Sequence, residues 1–439
     1  MSPKERLLNR FGQRRSLVGV VGLGYVGLPL AMAFAEAGFQ VLGFDIDAEK
    51  VDRIQKGESY LGSVSTADLA ARVDSGGLSA TSDFARLSEP DAILICVPTP
   101  LSMQMKPDLG YVEDTARRIL TSLRVGQLVV LESTSYPGTT AEIVHPILSE
   151  SGLVCGQDYF LAYSPERENP GDRAHSVGTI PKIVGGVDDP STELAATLYS
   201  QVVPRVVRVS SAAAAEATKL TENIFRAVNV ALVNELKMIF DKMGLDVWEI
   251  LDAAESKPFG FMRFSPGPGL GGHCIPIDPL YLAARAAEFG ARARFIELAA
   301  EINAGMPQFV VDKATEALRR RGLEVSECKV LVLGIAYKKD VEDPRESPAF
   351  EIVDLLLKRG VEVEYHDPFI PRLPRMRRWP DLPDLESVSI SPAVVSAVDA
   401  VVLVTDHSRV DYDLIWKHSS LIVDTRGVYR REDPRLIKA

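Results

Sequence analysis

The first part of the chain alternates short apolar runs with segments of helical period. Apolar runs of strand length at residues 16–24 and 39–47 flank an apolar, helix-period stretch at 28–38. This order is that of a β-α-β unit, which begins a parallel sheet. Three further strand-length runs follow at 92–98, 127–134 and 159–166. Residues 1–205 are therefore predicted to form one α/β domain.

The middle of the chain has a helical pattern. Residues 211–241 contain neither Gly nor Pro and carry apolar residues at helical spacing, which predicts a single helix roughly 45 Å long at 1.5 Å per residue. A Gly- and Pro-rich loop at 257–279 interrupts the helical pattern, which then continues to about 321. Because long loops inside compact domains are usually functional, residues 206–325 are predicted to be a central helical domain with a functional loop.

The strand-helix-strand order of the N-terminal part returns near the C-terminus. Strand-length runs at 329–337 and 361–368 flank a helical stretch at 347–360, and strands are also predicted at 399–405 and 420–427. We therefore predict an α/β protein with two doubly wound, Rossmann-like domains, 1–205 and 326–439, joined by a long central helix. The first turn of the second domain has only Gly334 and offers Lys338, Lys339 and Arg345, which indicates a different ligand.

Composition narrows the function classes. The 439 residues are 46% hydrophobic, without an apolar run long enough to span a membrane, and the basic N-terminus has no apolar core typical of a signal peptide. The net charge of −11 argues against nucleic-acid binding. Four widely separated cysteines indicate neither a disulfide framework nor a metal site. We expect a cytoplasmic protein that binds no metal, membrane or nucleic acid.

The turn after the first strand carries a dinucleotide-binding pattern. Gly22, Gly24 and Gly27 surround Tyr25 and Val26, and Asp45 ends the next strand. Glycines let the backbone approach a pyrophosphate at the N-terminus of a helix, where unpaired N–H groups favour negative charge. An acid at the end of the second strand accepts hydrogen bonds from ribose hydroxyls and repels a 2′-phosphate. The pattern therefore predicts NAD rather than NADP; the alternative is a turn that only allows tight packing.

Cys274 lies in the Gly-rich loop directly before a predicted helix. This position lowers the pKa of a thiol, which favours a nucleophile. Asp278 follows one helical turn later, and His273 either lines the site or is a structural loop residue. The alternative for Cys274 is a small core side chain, which is the commoner role of a free cysteine.

Polar side chains on the long helix and at two strand ends complete the candidate set. Lys219 and Asn223 lie one turn apart on the predicted helix, while Thr134 and Glu166 follow two predicted strands. Ligands of open α/β sheets bind beyond the carboxyl ends of the strands. The alternatives are an exposed ion pair of Lys219 with Glu222 and a surface or capping role for Glu166.

The motifs together resemble those of the UDP-glucose/GDP-mannose dehydrogenase family, NAD-dependent enzymes that oxidise the C6 alcohol of a nucleotide sugar to a uronic acid. The resemblance extends from Gly22 to about Gly427. It rests on GLGYVG (22–27), VPTP (97–100), ESTSYPGTT (132–140), SPERENPG (164–171), KLTENIFRAVN (219–229), GPGLGGHCIPIDP (267–279) and YKKDVEDPRES (337–347). It implies an NAD-binding domain over 1–205, a dimerisation role for 206–325, a UDP-sugar-binding domain over 326–439, and a product used for surface polysaccharide.

The resemblance also implies roles for individual residues. Cys274 would be the nucleophile, Lys219 and Asn223 the polar pair at the reacting oxygen, and Asp278 the carboxylate on the catalytic water or lysine. Glu166 would be the acid/base for hydrolysis, with Thr134 near the water and the nicotinamide. The implied cofactor contacts are Gly22, Gly24, Tyr25, Val26, Gly27, Asp45, Lys50, Pro98, Thr99, Thr134 and Arg345. The implied substrate contacts are Glu166, Arg167, Lys219, Asn223, Arg263, Phe264, Gly271 and Lys338.

The sugar is indicated by the loop at 258–279, which most resembles the branch of the family that oxidises UDP-N-acetylglucosamine. The glucose branch typically has Ser before the cysteine and Lys before the aspartate, where this chain has His273 and Ile277. UDP-glucose, UDP-N-acetylmannosamine and UDP-N-acetylgalactosamine remain alternatives, as does a two-electron NAD-dependent hydroxy-acid dehydrogenase. The resemblance further implies a homodimer or higher homo-oligomer, with Arg263 reaching a substrate across the interface.

Overall fold

A computed structural model describes residues 1–100, 107–167, 179–272 and 275–439. The chain divides into two compact units, the first formed by Met1–Glu222 with Leu280–Ala291 and the second by Asn223–Pro279 with Arg292–Ala439. The three predicted domains divide the chain differently, and their boundaries stay a prediction. No helix among the described residues is both long and apolar enough to cross a membrane.

The first unit is built on an eight-stranded sheet in the order β3-β2-β1-β4-β5-β6-β7-β8. Its strands are β1 (Leu17–Val21), β2 (Gln40–Phe44), β3 (Leu78–Thr81), β4 (Ala92–Ile95), β5 (Gln127–Leu131), β6 (Tyr159–Tyr163), β7 (Lys182–Gly186) and β8 (Val206–Arg208). Neighbouring strands are parallel except β6 and β7, which are antiparallel. The predicted strands at 16–24, 39–47, 92–98, 127–134 and 159–166 are therefore confirmed.

Helices cover this sheet on both faces. They are α1 (Pro3–Gly12), α2 (Gly27–Glu36), α3 (Ala48–Gln55), α4 (Thr66–Asp74), α5 (Gly110–Leu120), α6 (His145–Ser149) and α7 (Asp189–Tyr199), with a 3₁₀ turn at Phe84–Ser88 and a π-helical turn at Thr140–Val144. Alternate residues of the central strands enter different cores: Val18 and Val20 belong to one, and Val21 and Ile93 to the other. The strands are continuously apolar because both faces of the sheet are buried.

The second unit contains a five-stranded parallel sheet in the order β10-β9-β11-β12-β13. Its strands are β9 (Lys329–Leu333), β10 (Glu362–His366), β11 (Ala400–Leu403), β12 (Ile422–Asp424) and β13 (Leu436–Lys438). Its helices include α9 (Val247–Glu255), α11 (Arg294–Arg320), α12 (Pro348–Lys358), α13 (Pro392–Ser396) and α14 (Tyr412–His418), with a 3₁₀ turn at Val325–Glu327. The mostly parallel first sheet and the parallel second sheet confirm the predicted α/β class.

Two further helices each contribute residues to both units. α8 (Ala212–Lys242) has 31 residues and confirms the long helix predicted over 211–241. α10 (Asp278–Glu288) begins where the Gly-rich loop ends. Among the predicted site residues, α8 carries Lys219 and Asn223, and α10 begins at Asp278.

Candidate active site and cofactor site

The turn after β1 needs glycine at two positions for reasons internal to the protein. Gly22 has a φ of +90°, and a Cβ there would lie 2.8 Å from the carbonyl oxygen of Cys96. A Cβ on Gly27 would lie 1.8 Å from the carbonyl oxygen of Gly22. A Cβ on Gly24 would meet no protein atom within 4 Å. The open backbone at Gly24, directly before α2, fits a pyrophosphate.

Asp45 lies beside this turn at the end of β2. It is 7% exposed, and its Oδ2 accepts the backbone N–H of Leu23 at 2.8 Å. Its Oδ1 accepts the backbone N–H of Asp47 at 3.0 Å, and Lys50 Nζ lies 3.8 Å from Oδ2. The carboxylate is therefore fixed against the glycine turn, which is the geometry expected for binding an adenosine ribose.

The other predicted cofactor residues of this unit lie near the same turn or along the same sheet edge. Tyr25 is 53% exposed and Val26 is half-buried, directly before α2. Pro98 and Thr99 follow β4, and Thr134 follows β5. The carboxyl ends of β1, β4 and β5 therefore place all of these residues at the edge where open α/β sheets bind ligands.

Lys219 contacts the segment that follows β6. Its side chain is buried, and its Nζ donates a hydrogen bond to the backbone carbonyl oxygen of Glu166 at 2.6 Å. Glu222, the alternative partner of Lys219, instead forms a two-pronged ion pair with Arg167, at 2.6 and 3.2 Å. The alternative of an exposed Lys219–Glu222 ion pair is therefore wrong, because Glu222 is held by a guanidinium and Lys219 points into the unit.

The carboxylate of Glu166 contacts a backbone N–H group and an ammonium among the described residues. Its Oε1 accepts the backbone N–H of Arg167 at 2.6 Å, and its Oε2 lies 3.4 Å from the ammonium of Lys182. Lys182 also forms an ion pair with buried Glu132 at 2.7 Å. The sequence analysis did not single out Lys182. A lysine at the start of the otherwise apolar strand β7 is a signal that could have identified Lys182, because buried lysines need a partner.

In the second unit, Asn223 and Asp278 form a direct contact. The side-chain amide of Asn223 donates to Asp278 Oδ2 at 2.5 Å. Both residues are buried, with exposed fractions of 7% and 1%. The structure therefore brings together two residues that lie 55 positions apart in the chain.

The end of the Gly-rich loop is fastened to the turn after β9. The backbone N–H of Gly272 donates to the carbonyl oxygen of Arg345 at 3.0 Å, and Gly272 has a φ of +86°. A Cβ on Gly271 would lie 2.6 Å from Cβ of Tyr337, the residue before half-buried Lys338. Only glycine allows this close approach of the two backbones. The guanidinium of Arg345 forms a two-pronged ion pair with Asp343, at 2.6 and 2.9 Å.

An amide pair and an arginine hold the middle of the same loop. The N–H of Gly267 donates to Asn234 Oδ1 at 2.9 Å, and Asn234 Nδ2 donates to Asn303 Oδ1 at 2.9 Å. A Cβ on Gly267 would lie 2.6 Å from the guanidinium of Arg426. The sequence analysis missed these residues. Arg426 was detectable, since it follows strand β12 at the carboxyl edge of its sheet.

Two predicted substrate residues lie at the start of the loop. Arg263 forms ion pairs with Asp252 at 2.6 Å and Glu255 at 2.9 Å, both on α9. The ring of Phe264 meets that of Phe225 edge to face, with centroids 5.8 Å apart. The action of Arg263 across a subunit interface stays a prediction. Cys274 and His273 lie outside the described residues.

The second sheet also has a glycine turn after its first strand, but the aspartate beside that turn has different neighbours. Gly334 has a φ of +89°, and Asp367, at the end of β10, accepts the backbone N–H of Ile335 at 2.7 Å, as Asp45 does for Leu23. The carboxylate of Asp367 is fully buried, and His407 Nε2 lies 3.1 Å from its Oδ2. Because Asp367 is fully buried against His407, this turn does not expose an acid to a ligand.

Three family models match the chain in succession. They describe the NAD binding domain of the UDP-glucose/GDP-mannose dehydrogenase family over residues 16–203, its central domain over 213–305 and its UDP binding domain over 331–431. The chain belongs to the UDP-glucose/GDP-mannose dehydrogenase family. It is therefore an NAD-dependent nucleotide-sugar dehydrogenase, with its NAD-binding domain in the first unit and its UDP-binding domain in the second.

Similar members of this family have names that differ in the sugar. A UDP-N-acetyl-D-glucosamine 6-dehydrogenase from Pseudomonas aeruginosa is 37% identical over 80% of this chain and 83% of its own. An NDP-N-acetyl-D-galactosaminuronic acid dehydrogenase from Ralstonia nicotianae is 38% identical, over 94% and 96%. The solved structure of a UDP-D-ManNAc dehydrogenase from Pyrococcus horikoshii has a TM-score of 0.86 at 33% identity, and the match covers 95% of this chain and 96% of that one.

The described residues of this dehydrogenase contain no cluster of side chains suited to a metal ion. Among the predicted site residues, Lys219 of the first unit carries an ammonium and Asn223 of the second unit an amide donor. The glycine turn and Asp45 fit the NAD of the family, because Gly24 leaves the backbone open and the carboxylate is fixed beside it.

Proposed function

We propose that this nucleotide-sugar dehydrogenase oxidises the C6 hydroxyl of a UDP-N-acetylhexosamine, UDP-N-acetylglucosamine first, to the uronic acid, with Cys274 as the covalent nucleophile. The observation that carries the proposal is the fastening of Gly271 and Gly272 to the turn that contains Lys338. This contact supports a role for the segment directly after Gly272 in holding the sugar of a nucleotide bound near Lys338.

The N-acetyl sugar is supported by the loop sequence and by the relatives. His273 and Ile277 stand where the glucose branch has Ser and Lys. Relatives with 37% and 38% identity have names that refer to N-acetylhexosamines or their uronic acids. Initial rates with UDP-glucose and the three UDP-N-acetylhexosamines test the choice. We expect kcat/KM to be highest for UDP-N-acetylglucosamine, and a preference for UDP-glucose would contradict the proposal.

The proposed reaction removes four electrons from the alcohol. NAD, which the glycine turn and Asp45 would hold, would supply the hydride acceptor, one molecule for each of two successive oxidations, so two NADH would form per sugar. In the first oxidation a water held by a lysine takes the hydroxyl proton while the hydride leaves C6, and together these losses give an aldehyde. The thiolate of Cys274 then adds to the aldehyde carbon, and Lys219 and Asn223, one turn apart on α8, stabilise the oxyanion of the thiohemiacetal.

Loss of the second hydride gives a thioester on Cys274. Water attacks the thioester carbon and gives its proton to Glu166 or Asp278, and the thiolate of Cys274 leaves as the uronate forms. In sum, alcohol, water and two NAD give acid, two NADH and two protons. Both hydrolysis candidates are carboxylates with defined partners: Glu166 with Lys182, and Asp278 with Asn223.

Substitution of Cys274 tests the covalent mechanism. Cys274→Ser is expected to accumulate an acyl-enzyme, because an alkoxide is a poorer leaving group than a thiolate. Cys274→Ala is expected to lose turnover by several orders of magnitude. Intact-protein mass spectrometry after incubation with NAD and UDP-N-acetylglucosamine detects the adduct, and NADH absorbance gives the stoichiometry.

Cys155→Ser is the matched control, because Cys155 is a half-buried thiol far from the loop in sequence. It should keep two NADH per sugar. Uronate production by Cys274→Ala at a near-normal rate would exclude the covalent step. One NADH per substrate in the unmodified enzyme would instead indicate a two-electron dehydrogenase.

A further inference from the structure

The first unit contains a buried ionic cluster behind the proposed acid/base. The side chain of Glu132, directly after β5, is fully buried, and its Oε2 lies 2.7 Å from Lys182 Nζ. The hydroxyl of Tyr199, on α7, donates to the other oxygen of Glu132. Buried charges are tolerated when they are paired and hydrogen-bonded, and Glu132 meets both conditions.

Among the charged residues of this cluster, Glu166 is the most exposed. The exposed fraction of the side chains rises from 0% at Glu132 to 6% at Lys182 and 15% at Glu166. The ammonium of Lys182 lies 3.4 Å from Glu166 Oε2. Glu166 Oε1 accepts the backbone N–H of Arg167 at 2.6 Å. The orientation of the Glu166 carboxylate is therefore set partly by the ammonium of Lys182, which is itself held by Glu132.

Two carboxylates share one ammonium in this cluster. Burial raises the pKa of Glu132, although the charge of Lys182 opposes this. Burial also raises the pKa of the Tyr199 hydroxyl and of the Cys96 thiol, which faces the cluster from the end of β4, so both stay neutral. While Glu132 is ionised, it competes with Glu166 for the charge of Lys182.

Two other cations are near Glu166 and already have partners. The ammonium of Lys219, from α8, donates to the backbone carbonyl oxygen of Glu166. The guanidinium of Arg167 is paired with Glu222. Lys182 is therefore the cation that the described residues place on the Glu166 carboxylate itself.

We propose that Lys182, held by Glu132 and Tyr199, is a positioning residue that keeps the Glu166 carboxylate oriented and ionised for hydrolysis of the thioester. The inference rests on the proposed function, in which water attacks the thioester carbon and passes its proton to Glu166 while the Cys274 thiolate leaves. Lys182 touches neither substrate nor cofactor in this role. It acts through the charge that it places on one oxygen of Glu166.

Removal of Lys182 and removal of the charge of Glu132, which competes with Glu166 for Lys182, should shift the pH profile of hydrolysis in opposite directions. Glu132→Gln keeps an acceptor for Tyr199 but removes the competing charge, so Lys182 favours the ionised form of Glu166 more strongly. The acid limb of the profile should move to lower pH. Lys182→Met removes the ammonium, so the acid limb should move to higher pH and hydrolysis should slow by about tenfold. A purely structural role of the cluster does not produce opposite shifts.

The experiment follows a single turnover of the full-length enzyme with NAD and UDP-N-acetylglucosamine between about pH 5 and 9. NADH absorbance reports the two hydride transfers, and acid quenching with mass spectrometry reports the acyl-enzyme. We expect Lys182→Met to accumulate acyl-enzyme while both hydride transfers stay within about twofold of the unmodified rate. The KM of the UDP-sugar should stay unchanged and kcat should fall.

A double variant keeps the test valid where Lys182→Met fails to fold. Glu132→Gln/Lys182→Met removes both buried charges, which avoids an unpaired buried carboxylate. It should slow hydrolysis as Lys182→Met does. Lys4→Met is the matched control, because Lys4 pairs with Glu193 of α7 at 2.6 Å on the protein surface. It should leave all three steps unchanged.

The outcomes separate this inference from the proposed function. If Glu166→Gln hydrolyses the thioester at the normal rate, the assignment of Glu166 fails. If Glu166→Gln is slow but the double variant hydrolyses normally, the role of Lys182 is overturned. An equal loss in hydride transfer and hydrolysis would also overturn it, since that pattern indicates a structural defect. Opposite shifts of the acid limb, with Glu166→Gln slow, support both assignments.

Discussion

At the residue scale, two aspartates in equivalent places show how neighbouring groups decide what a carboxylate binds. Asp45 and Asp367 each end a strand next to a glycine turn and accept backbone N–H groups of that turn. Lys50 lies 3.8 Å from Asp45, whereas buried His407 lies 3.1 Å from Asp367. The side chain of Asp45 stays 8% exposed, whereas that of Asp367 is fully buried by its contacts within the protein.

Asp45→Ala should lower kcat/KM for NAD by about 10- to 100-fold, because a charged hydrogen bond contributes about 1.5–3 kcal/mol. It should also raise kcat/KM for NADP, since the charge that repels a 2′-phosphate is gone. Steady-state kinetics with both cofactors measures the two effects. Asp45→Asn is the matched control, because it keeps an acceptor for Leu23 but not the charge. Equal use of both cofactors by the unmodified enzyme would contradict this role.

At the scale of elements, the turn between β1 and α2 separates the structural need for glycine from the need of the ligand. Gly22 and Gly27 are required by contacts within the protein, since added Cβ atoms would lie 2.8 and 1.8 Å from carbonyl oxygens. Gly24 has open space on its side. The element therefore folds with two of its glycines and leaves the third for the cofactor.

Gly27→Ala and Gly24→Ala should accordingly fail in different ways. Gly27→Ala should lower Tm in the absence of ligand, because overpacking of this kind costs about 1–3 kcal/mol. Gly24→Ala should leave Tm unchanged and raise the Kd for NAD roughly tenfold or more, or about 1.4 kcal/mol. Thermal unfolding and calorimetric titration with NAD measure the two quantities. A loss of Tm in Gly24→Ala equal to that in Gly27→Ala would contradict the distinction.

The sequence predicted best those helices and strands whose formation depends on the pattern of their own residues. The helix α8 follows from a stretch without Gly or Pro, and the strands β1, β4 and β5 follow from apolar runs buried on both faces. The three-residue strand β13 and the π-helical turn at Thr140–Val144 were not predicted, because short elements depend on their neighbours in space.

The candidate site divides in the same way. Its glycine turn, Asp45 and the Gly-rich loop carry local signals in the sequence. The contacts of Lys182 and Asn234 carry no local signal, because their partners lie 50 positions away at Glu132 and 69 positions away at Asn303. Contacts of this kind arise only when the sheet and the long helices have formed. Sequence patterns therefore predict the turns and loops of such a site but not the contacts between residues that are distant in the chain.

At the scale of the whole molecule, the chain assigns its two ligands to two sheets. The family model for NAD binding matches within the first unit and that for UDP binding within the second. Lys338 and Lys339 lie in the turn after β9 of the second sheet. Lys338 is half-buried, whereas Lys339 is exposed and lies 3.5 Å from Asp406. The two adjacent lysines therefore have different surroundings.

Lys338→Ala should raise the KM of the UDP-sugar by about tenfold or more, because it removes a charged donor to the nucleotide. The KM of NAD should change by less than about twofold. Lys339→Ala is the matched control and should leave both constants unchanged, since its ammonium is paired at the surface. Initial rates with each ligand varied in turn give both constants. A rise confined to the KM of NAD would mean that the ligands are assigned to the wrong domains.

The contact of His407 with Asp367 affects how a likeness between the two glycine turns of this chain can be detected. Gly334 N–H donates to His366 at 2.8 Å just as Gly22 N–H donates to Phe44 at 2.8 Å, although the two turns share little sequence. The same backbone hydrogen bond therefore forms at both turns although their side chains differ. His407, 73 positions beyond Gly334, contacts the second carboxylate without changing this backbone pattern. Comparison of backbone hydrogen bonds therefore detects a likeness between two parts of this chain that glycine spacing alone misses.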